Sequence, residues 1–218
     1  GPYGSCVTFA NTVAIDALLN KGNYISQLCV LSLSAYLATY GYWPNAWDGS
    51  TGPIILGQIL AFGVINNTWQ MQKICAHTTA YPSTHVDNIT KENTQPPEYR
   101  SYSENINNKI AWTSLLDFHK RITWSFLDIK ATILLETIKS IIASSAKEHS
   151  SQISMGALLP VRHCKIGACA SYHNHADTWV ITKNIAQDAN PELGGHEMLI
   201  VGYDDEAVAQ ALDGSAHK

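Results

Sequence analysis

The order of hydrophobic patterns predicts an α+β fold, with helices early in the chain and strands late. Apolar residues recur at helical spacing in three stretches between positions 6 and 62, and again from Ile129 to Ile142. Short apolar runs bounded by turn residues begin only after position 150. Helices and strands that are segregated along a chain are typical of α+β proteins.

Three helices are predicted in the first third of the chain. The first begins at Cys6 and ends near Lys21-Gly22, where a cation in the last turn and a following glycine are typical of a helix end. The second covers about 26–40. The third, PIILGQILAF, runs from 53 to 62 and ends at a glycine.

The rest of the chain alternates between irregular and ordered patterns. Residues 66–108 contain prolines, many Asn, Ser and Thr residues and little periodicity, which predicts an irregular surface excursion rather than a core element. A helical stripe returns within 113–147. Three strands are then predicted, at 153–161 (ISMGALLPV), 178–181 and 196–203.

Charge and hydropathy argue against two classes of partner. The chain has 14 Lys and Arg residues against 18 Asp and Glu residues, and no basic run is long enough to bind phosphates along a nucleic acid. The most apolar window, 28–37, is interrupted by serines and is shorter than the roughly 20 residues that span a bilayer. We therefore expect neither nucleic acid nor a membrane as a partner.

An odd number of cysteines leaves one thiol over if the others pair. The five are Cys6, Cys29, Cys75, Cys164 and Cys169. Pairing four of them permits three connectivities, of which Cys29–Cys75 with Cys164–Cys169 treats the close pair CKIGAC as a local staple. Five reduced thiols in a cytosolic protein are the alternative. A further alternative is a zinc site of Cys164, Cys169, His173 and His175, although their spacing is unusual for zinc.

Two segments carry the residue types of covalent catalysis. Cys6 stands where the first helix begins, and the unpaired N–H groups and positive dipole at a helix N-terminus favour a thiolate. In ELGGHEMLIVGY two glycines lead directly into His196, so the backbone can pass close to a substrate and the imidazole stays accessible. The alternative for Cys6 alone is ordinary packing on an apolar helix face.

Taken together, the two segments resemble the active-site segments of papain-like cysteine peptidases. The matching residues are Gly4-Ser5-Cys6 with Phe9-Ala10, and His196 with the sequence IVGY at 200–203. The resemblance implies a two-lobed fold with a helical N-terminal lobe, an antiparallel β-rich C-terminal lobe and the active cleft between them.

The same resemblance implies one catalytic domain over residues 1–218. Its mainly helical lobe is expected at 1–112, with the excursion at 66–108 as an insertion, and its mainly β lobe at 113–218. In the family an oxyanion-hole glutamine and a histidine-orienting asparagine complete the site. We expect the glutamine directly before Gly1 and the asparagine beyond Lys218.

The resemblance also implies the roles of individual residues. His196 would take the proton of Cys6, the thiolate would attack a peptide carbonyl, and water would release the acyl-enzyme. Asp48-Gly49-Ser50 resembles the glycine-containing loop that holds the substrate backbone. Gly195 and Glu197 would line the substrate site, where the Glu197 carboxylate favours a basic or polar side chain unless it points into the core or to solvent. No metal or other cofactor is implied.

The predicted function is therefore that of a cysteine peptidase, a hydrolase that acts on peptides or proteins. We expect a monomeric, secreted and divergent bacterial member of the family, with a propeptide or a proteinaceous inhibitor as a further partner. Two alternatives remain open. One is a catalytically inactive papain-like binding protein, and the other is a cysteine acyltransferase that transfers the acyl group to an amine instead of water.

Overall fold

The computed structural model of the protein describes residues 3–75, 79–84, 93–107, 129–145, 152–162, 164–165, 168–173, 175–180, 182–183, 185 and 192–218. The helices are α1 (Cys6–Leu19), α2 (Gln27–Thr39), α3 (Gly52–Phe62), α4 (Asn67–Met71), α5 (Pro96–Tyr102) and α6 (Ile129–Ser145). The strands are β1 (Ile153–Pro160), β2 (Cys169–Tyr172), β3 (His175–Trp179), β4 (Leu193–Ile200), β5 (Ala209–Ala211) and β6 (Ala216–His217). The fold is α+β, as predicted.

The chain divides into two compact units. The first unit comprises Gly1–Met155 and Glu197–Val201, and the second unit comprises Gly156–His196 and Gly202–Lys218. Helices α1 to α6 belong to the first unit, whereas β2, β3, β5 and β6 belong to the second. Strands β1 and β4 contribute residues to both units.

The predicted helices of the first unit are confirmed, with small differences at their ends. Helix α1 ends two residues before the expected region because Asn20 adopts the left-handed conformation (φ 52°), which asparagine tolerates better than most residues. Helix α2 begins after Ser26, whose hydroxyl accepts a hydrogen bond from the Cys29 backbone N–H at 3.0 Å. Helix α3 carries Pro53 in its first turn, where the missing N–H costs no intrahelical bond.

The main core of the first unit lies among α1, α2, α3 and the loop before α3. Its buried side chains are Val7, Ile15, Ile25, Leu28, Val30, Leu31, Ala35, Ala46, Trp47, Ile55, Ile59, Val64 and Ile106. Within it, the Gln58 side-chain amide of α3 donates a hydrogen bond to the Val30 carbonyl of α2 at 2.8 Å. This bond gives a buried polar group the partner that its burial requires.

The prediction that 66–108 is an irregular surface excursion was partly wrong. It contains α4 and α5, and it supplies the fully buried side chains of Tyr99 and Ile106 to the core. Periodicity could not reveal these residues because each is an isolated apolar anchor. The Pro96-Pro97 pair begins α5 instead of breaking it, since proline fits the first turn of a helix.

A disulfide ties the excursion to α2. Cys29 and Cys75 are bonded with their Cα atoms 5.0 Å apart, and both side chains are fully buried in a second core cluster with Leu33, Leu37, Ile65 and Tyr99. This is the pairing that the sequence left as one of three connectivities.

The second unit contains a four-stranded antiparallel sheet in the order β3-β2-β5-β6. Ala170 of β2 lies opposite Thr178 of β3 on one side and Ala211 of β5 on the other. A second disulfide joins Cys164 to Cys169 at the start of β2, with Cα atoms 4.7 Å apart. The zinc alternative is therefore wrong for these cysteines, because the bridge uses both thiolates that a zinc site would need.

The predicted strands are present, with shifted ends. Strand β1 pairs with β4 in a two-stranded sheet and begins at the predicted residue. Strand β3 ends at Trp179, and Ile181 lies outside the described residues. Strand β4 begins three residues before His196 and ends at Ile200. The two glycines before His196 lie within the strand and do not form a turn. Helix α6 confirms the later part of the helix predicted within 113–147. The earlier part of that prediction, at 113–128, lies outside the described residues.

None of the helices in the described ranges has the length and apolar character needed to cross a membrane.

Candidate active site

Cys6 is the first residue of α1 and is half-buried. Within the described ranges it is the free cysteine, because the other four cysteines form the two disulfides. Its side chain packs against the main core of the first unit. A thiol in this position combines partial exposure with the N-terminus of a helix.

The loop predicted to hold a substrate lies directly against the chain that leads to Cys6. The Gly4 backbone N–H donates a hydrogen bond to the Trp47 carbonyl at 2.7 Å. A Cβ atom at Gly4 would lie 2.7 Å from the carbonyl carbon and oxygen of Asp48 and 2.8 Å from the Gly49 nitrogen. Position 4 therefore requires glycine, and the structure brings Cys6 and this loop into one region of the first unit.

The three loop residues differ in environment. Asp48 is exposed, and Gly49 has a backbone φ of 132°, a conformation that favours glycine. Ser50 is half-buried, and its hydroxyl oxygen is buried without a hydrogen-bond partner among the described residues. An unpaired buried hydroxyl is costly, so Ser50 is an unusual residue of this loop.

Glu197 lies in the core of the first unit and not in solvent. Its side chain is 8% exposed, and its Oε1 accepts a hydrogen bond from the Asn11 side-chain amide at 2.6 Å. The Asn11 Oδ1 in turn accepts one from the Ser154 hydroxyl at 3.1 Å. The carboxylate also lies beside the start of α3, since a Cβ at Gly52 would be 3.1 Å from Oε1.

His196 belongs to the second unit and is half-buried in β4. The ring of Trp179 in β3 packs edge-on against its imidazole, with the ring centroids 6.0 Å apart. Of the two preceding glycines, Gly194 makes the close backbone approach, because a Cβ there would lie 2.9 Å from Val161 Cγ1. A Cβ at Gly195 would meet no described atom within 4 Å, so the face of β4 opposite the His196 side chain is open at this residue.

Two residues of this region were missed by the sequence analysis. Asn11 appears in the sequence only as a polar residue on an apolar helix, and that anomaly was a signal of a buried polar contact. Tyr81 stands alone before a proline in a polar segment, yet its hydroxyl lies 2.7 Å from the Ser5 hydroxyl, next to Cys6. A single aromatic residue in a polar segment indicates that the segment packs against the core at that residue.

No cluster of three or more His, Cys, Asp or Glu residues suited to a metal ion occurs in the described part of the chain.

Comparison with protein-family models finds no match to the chain, and comparison with curated proteins finds none either. The assignment of a family therefore depends on the residues around Cys6 and His196 themselves.

Proposed function

We propose that the protein is a papain-like cysteine peptidase with Cys6 as nucleophile and His196 as general base. The observation that carries the proposal is the position of Cys6. It is the free cysteine of the described chain, it begins α1, and the loop Asp48-Gly49-Ser50 packs against the backbone directly before it. In the proposed two-lobed fold the active cleft lies between a helical lobe that carries Cys6 and a β-rich lobe that carries His196.

The proposed reaction has two stages. The His196 imidazole takes the thiol proton, the Cys6 sulfur bonds to the peptide carbonyl carbon, and the resulting oxyanion accepts a hydrogen bond from the Cys6 backbone N–H. The imidazolium then protonates the leaving amine as the C–N bond breaks. Water, deprotonated by the imidazole, attacks the thioester, which releases the carboxylic acid and regenerates the thiol.

The proposed substrate is an extended peptide segment. The backbone groups of Asp48-Gly49-Ser50 would bind its main chain, and Gly195 is kept from the resemblance as a further substrate-binding residue. Glu197 is buried and hydrogen-bonded to Asn11, so the carboxylate points into the first unit and is given no role in selecting a substrate side chain. Two disulfides are typical of an oxidising compartment, which supports a secreted enzyme.

Alkylation by iodoacetamide as a function of pH tests the proposed pair. In the native protein one thiol should react well below pH 7, and this reaction should disappear in Cys6→Ala. In His196→Ala the rate of alkylation at neutral pH should fall, because the thiol loses the proposed base that takes its proton. His217→Ala is the matched control and should keep the native profile, since His217 is half-buried at the end of β6 and bonded to the Ser215 hydroxyl.

Different outcomes favour the two alternatives. A Cys6 that alkylates with the pH profile of an ordinary thiol, in a protein that binds peptides without cleaving them, would identify an inactive binding protein. Faster formation of product on an added amine than of free acid would identify an acyltransferase. Either result would overturn the peptidase proposal.

A further inference from the structure

Away from the candidate active site, the chain carries an Asn-x-Thr motif at Asn66-Asn67-Thr68. In secreted proteins an asparagine that stands two residues before a threonine is an acceptor for N-linked glycans, provided that the middle residue is not proline. The sequence contains one other such motif, at Asn88, which lies outside the described residues. Because the motif is common by chance, the surroundings of Asn66 decide whether it can serve as an acceptor.

The side-chain amide of Asn66 uses its oxygen and leaves its nitrogen free. Its Oδ1 accepts a hydrogen bond from the Trp69 backbone N–H at 3.1 Å and so caps α4. Among the described residues its Nδ2 has no hydrogen-bond partner, and since it is not one of the unpaired atoms that are buried, it reaches solvent. A glycan is attached at Nδ2 and leaves the amide oxygen in place, so the cap and a glycan are compatible.

The other residues of the motif are also suitably placed. Thr68 is exposed, and its hydroxyl makes no hydrogen bond within the part of the chain that the structure describes. The Asn67 amide instead donates to the Asn23 carbonyl at 2.9 Å, which anchors the middle of the motif. The two groups that a transfer enzyme must reach, the Asn66 amide nitrogen and the Thr68 hydroxyl, are therefore the accessible ones.

The surface next to Asn66 offers an apolar face to a sugar. Asn66 and Trp69 are three positions apart at the start of α4, a spacing that places two side chains on one face of a helix. Trp69 is 37% exposed, and its ring packs against that of Tyr102, which is 39% exposed, with the centroids 5.3 Å apart. A sugar on Asn66 would cover part of this exposed aromatic pair.

We propose that Asn66 is a glycosylation site that accepts an N-linked glycan from a lipid-linked oligosaccharide. In the transfer, Nδ2 loses one proton and bonds to the anomeric carbon of the first sugar. The bond from that carbon to the pyrophosphate oxygen breaks, and the lipid pyrophosphate leaves. The inference is independent of the role of Cys6.

The two disulfides favour the oxidising compartment in which such a transfer takes place. A glycan at Asn66 implies a source with a glycosylating secretory pathway instead of the bacterial one expected from the sequence.

Site mapping of the full chain, secreted from a eukaryotic host that attaches high-mannose glycans, tests the inference. PNGase F in heavy-oxygen water converts each glycosylated asparagine to labelled aspartate, and trypsin separates Asn66 from Asn88 by cleaving at Lys73. Most of the Asn66 peptide should carry the label. Unlabelled Asn66 in the secreted native chain would overturn the inference, whatever the state of Asn88.

Two substitutions at position 68 form a matched pair. Thr68→Ala removes the hydroxyl but keeps the Asn66 cap, and alanine suits a helix, so the label at Asn66 should vanish while the fold is kept. Thr68→Ser keeps the hydroxyl and should keep the label. A label at Asn66 that persists in Thr68→Ala would show that the motif does not direct the modification.

The melting temperature tests whether the folded chain admits a sugar at Asn66. Endoglycosidase H leaves the first sugar on Asn66, whereas PNGase F leaves an aspartate, which caps a helix as well as asparagine does. In an Asn88→Gln background the two products differ only at position 66. The protein with the sugar should melt at the same or a higher temperature, because the sugar displaces no packed group. A clearly lower melting temperature would overturn the placement of the glycan on this face of α4.

Discussion

Asp16 shows how burial changes the chemistry of one side chain on the helix that begins with Cys6. Its carboxylate, 4% exposed on α1, accepts hydrogen bonds from the backbone N–H groups of Tyr24 and Ile25 at 3.0 Å each. Burial raises the pKa of the Asp16 carboxyl above its ordinary value of 3.8, and it outweighs these hydrogen bonds and the charge of Lys21, which lower it. The carboxylate thus holds the turn after α1 at a cost in desolvation.

Replacing Asp16 with asparagine should lower the free energy of unfolding by about 1–3 kcal/mol at pH 7, because an amide nitrogen cannot accept from a backbone N–H. The difference in free energy of unfolding between the native protein and Asp16→Asn should grow on acidification. A group with a raised folded-state pKa binds protons more tightly in the folded state, so native stability rises as the pH falls from that pKa towards 3.8. Urea denaturation at several pH values between 7 and 4 measures both effects.

Asp213→Asn is the control for this pH dependence. Hydrogen bonds from the Ser215 side chain and backbone lower the pKa of Asp213, so its contribution to stability is lost only below its ordinary value of 3.8. The difference between this variant and the native protein should stay constant from pH 7 to pH 4. A deficit of Asp16→Asn that shrinks on acidification would mean that the backbone hydrogen bonds dominate over burial.

At the scale of elements, the site depends on the fit between α1 and the loop before α3. The loop backbone at Asp48 and Gly49 occupies the space that a side chain at position 4 would need. This close approach, with the Gly4 to Trp47 hydrogen bond, fixes the backbone just before Cys6. The aromatic contacts of Tyr81 then hold the adjoining turn from its other side.

Gly4→Ala should destabilise the protein by about 1–3 kcal/mol, because the new Cβ must displace backbone atoms and not a flexible side chain. It should also slow alkylation of Cys6, since the start of α1 moves with the loop. Thermal unfolding and the iodoacetamide rate measure the two effects.

Gly57→Ala is the matched control for this substitution. Gly57 lies within α3 and a Cβ there would meet nothing within 4 Å, so alanine should be neutral or stabilise by up to about 1 kcal/mol. Equal stability of Gly4→Ala and Gly57→Ala would contradict the tight fit at the start of α1.

At the scale of the whole molecule, each unit contains one disulfide. Cys29–Cys75 lies in the first unit and spans 46 positions, whereas Cys164–Cys169 lies in the second unit and spans 5. A bridge that closes a longer loop removes more conformational entropy from the unfolded chain. The two bridges should therefore contribute unequally to stability.

Removal of each bridge by paired cysteine-to-alanine substitutions tests this difference. Loop-closure entropy predicts a loss of about 4 kcal/mol for Cys29–Cys75 and about 2 kcal/mol for Cys164–Cys169. Urea denaturation of the two double variants measures both losses. Since Cys29 and Cys75 are fully buried, a smaller loss for their bridge would rule out the entropic account.

The sequence by itself determined the α+β class and the three helices around the candidate site. Helical periodicity and the start of the third helix at Pro53 with its end before Gly63 are local signals, because they depend on residues a few positions apart. The sequence also predicted that Cys6 begins a helix and that one thiol is left over when the other cysteines pair. The disulfide connectivity remained one of several choices.

Only the tertiary structure decided which distant residues meet. The burial of Tyr99 and Ile106, the carboxylate of Glu197 beside Asn11, and the Tyr81 to Ser5 hydrogen bond are contacts across tens of residues or more. Each joins a single residue of one segment to another segment, so no periodicity marks it. Such contacts arise because an isolated apolar or polar group must find its partner wherever the packed chain offers one.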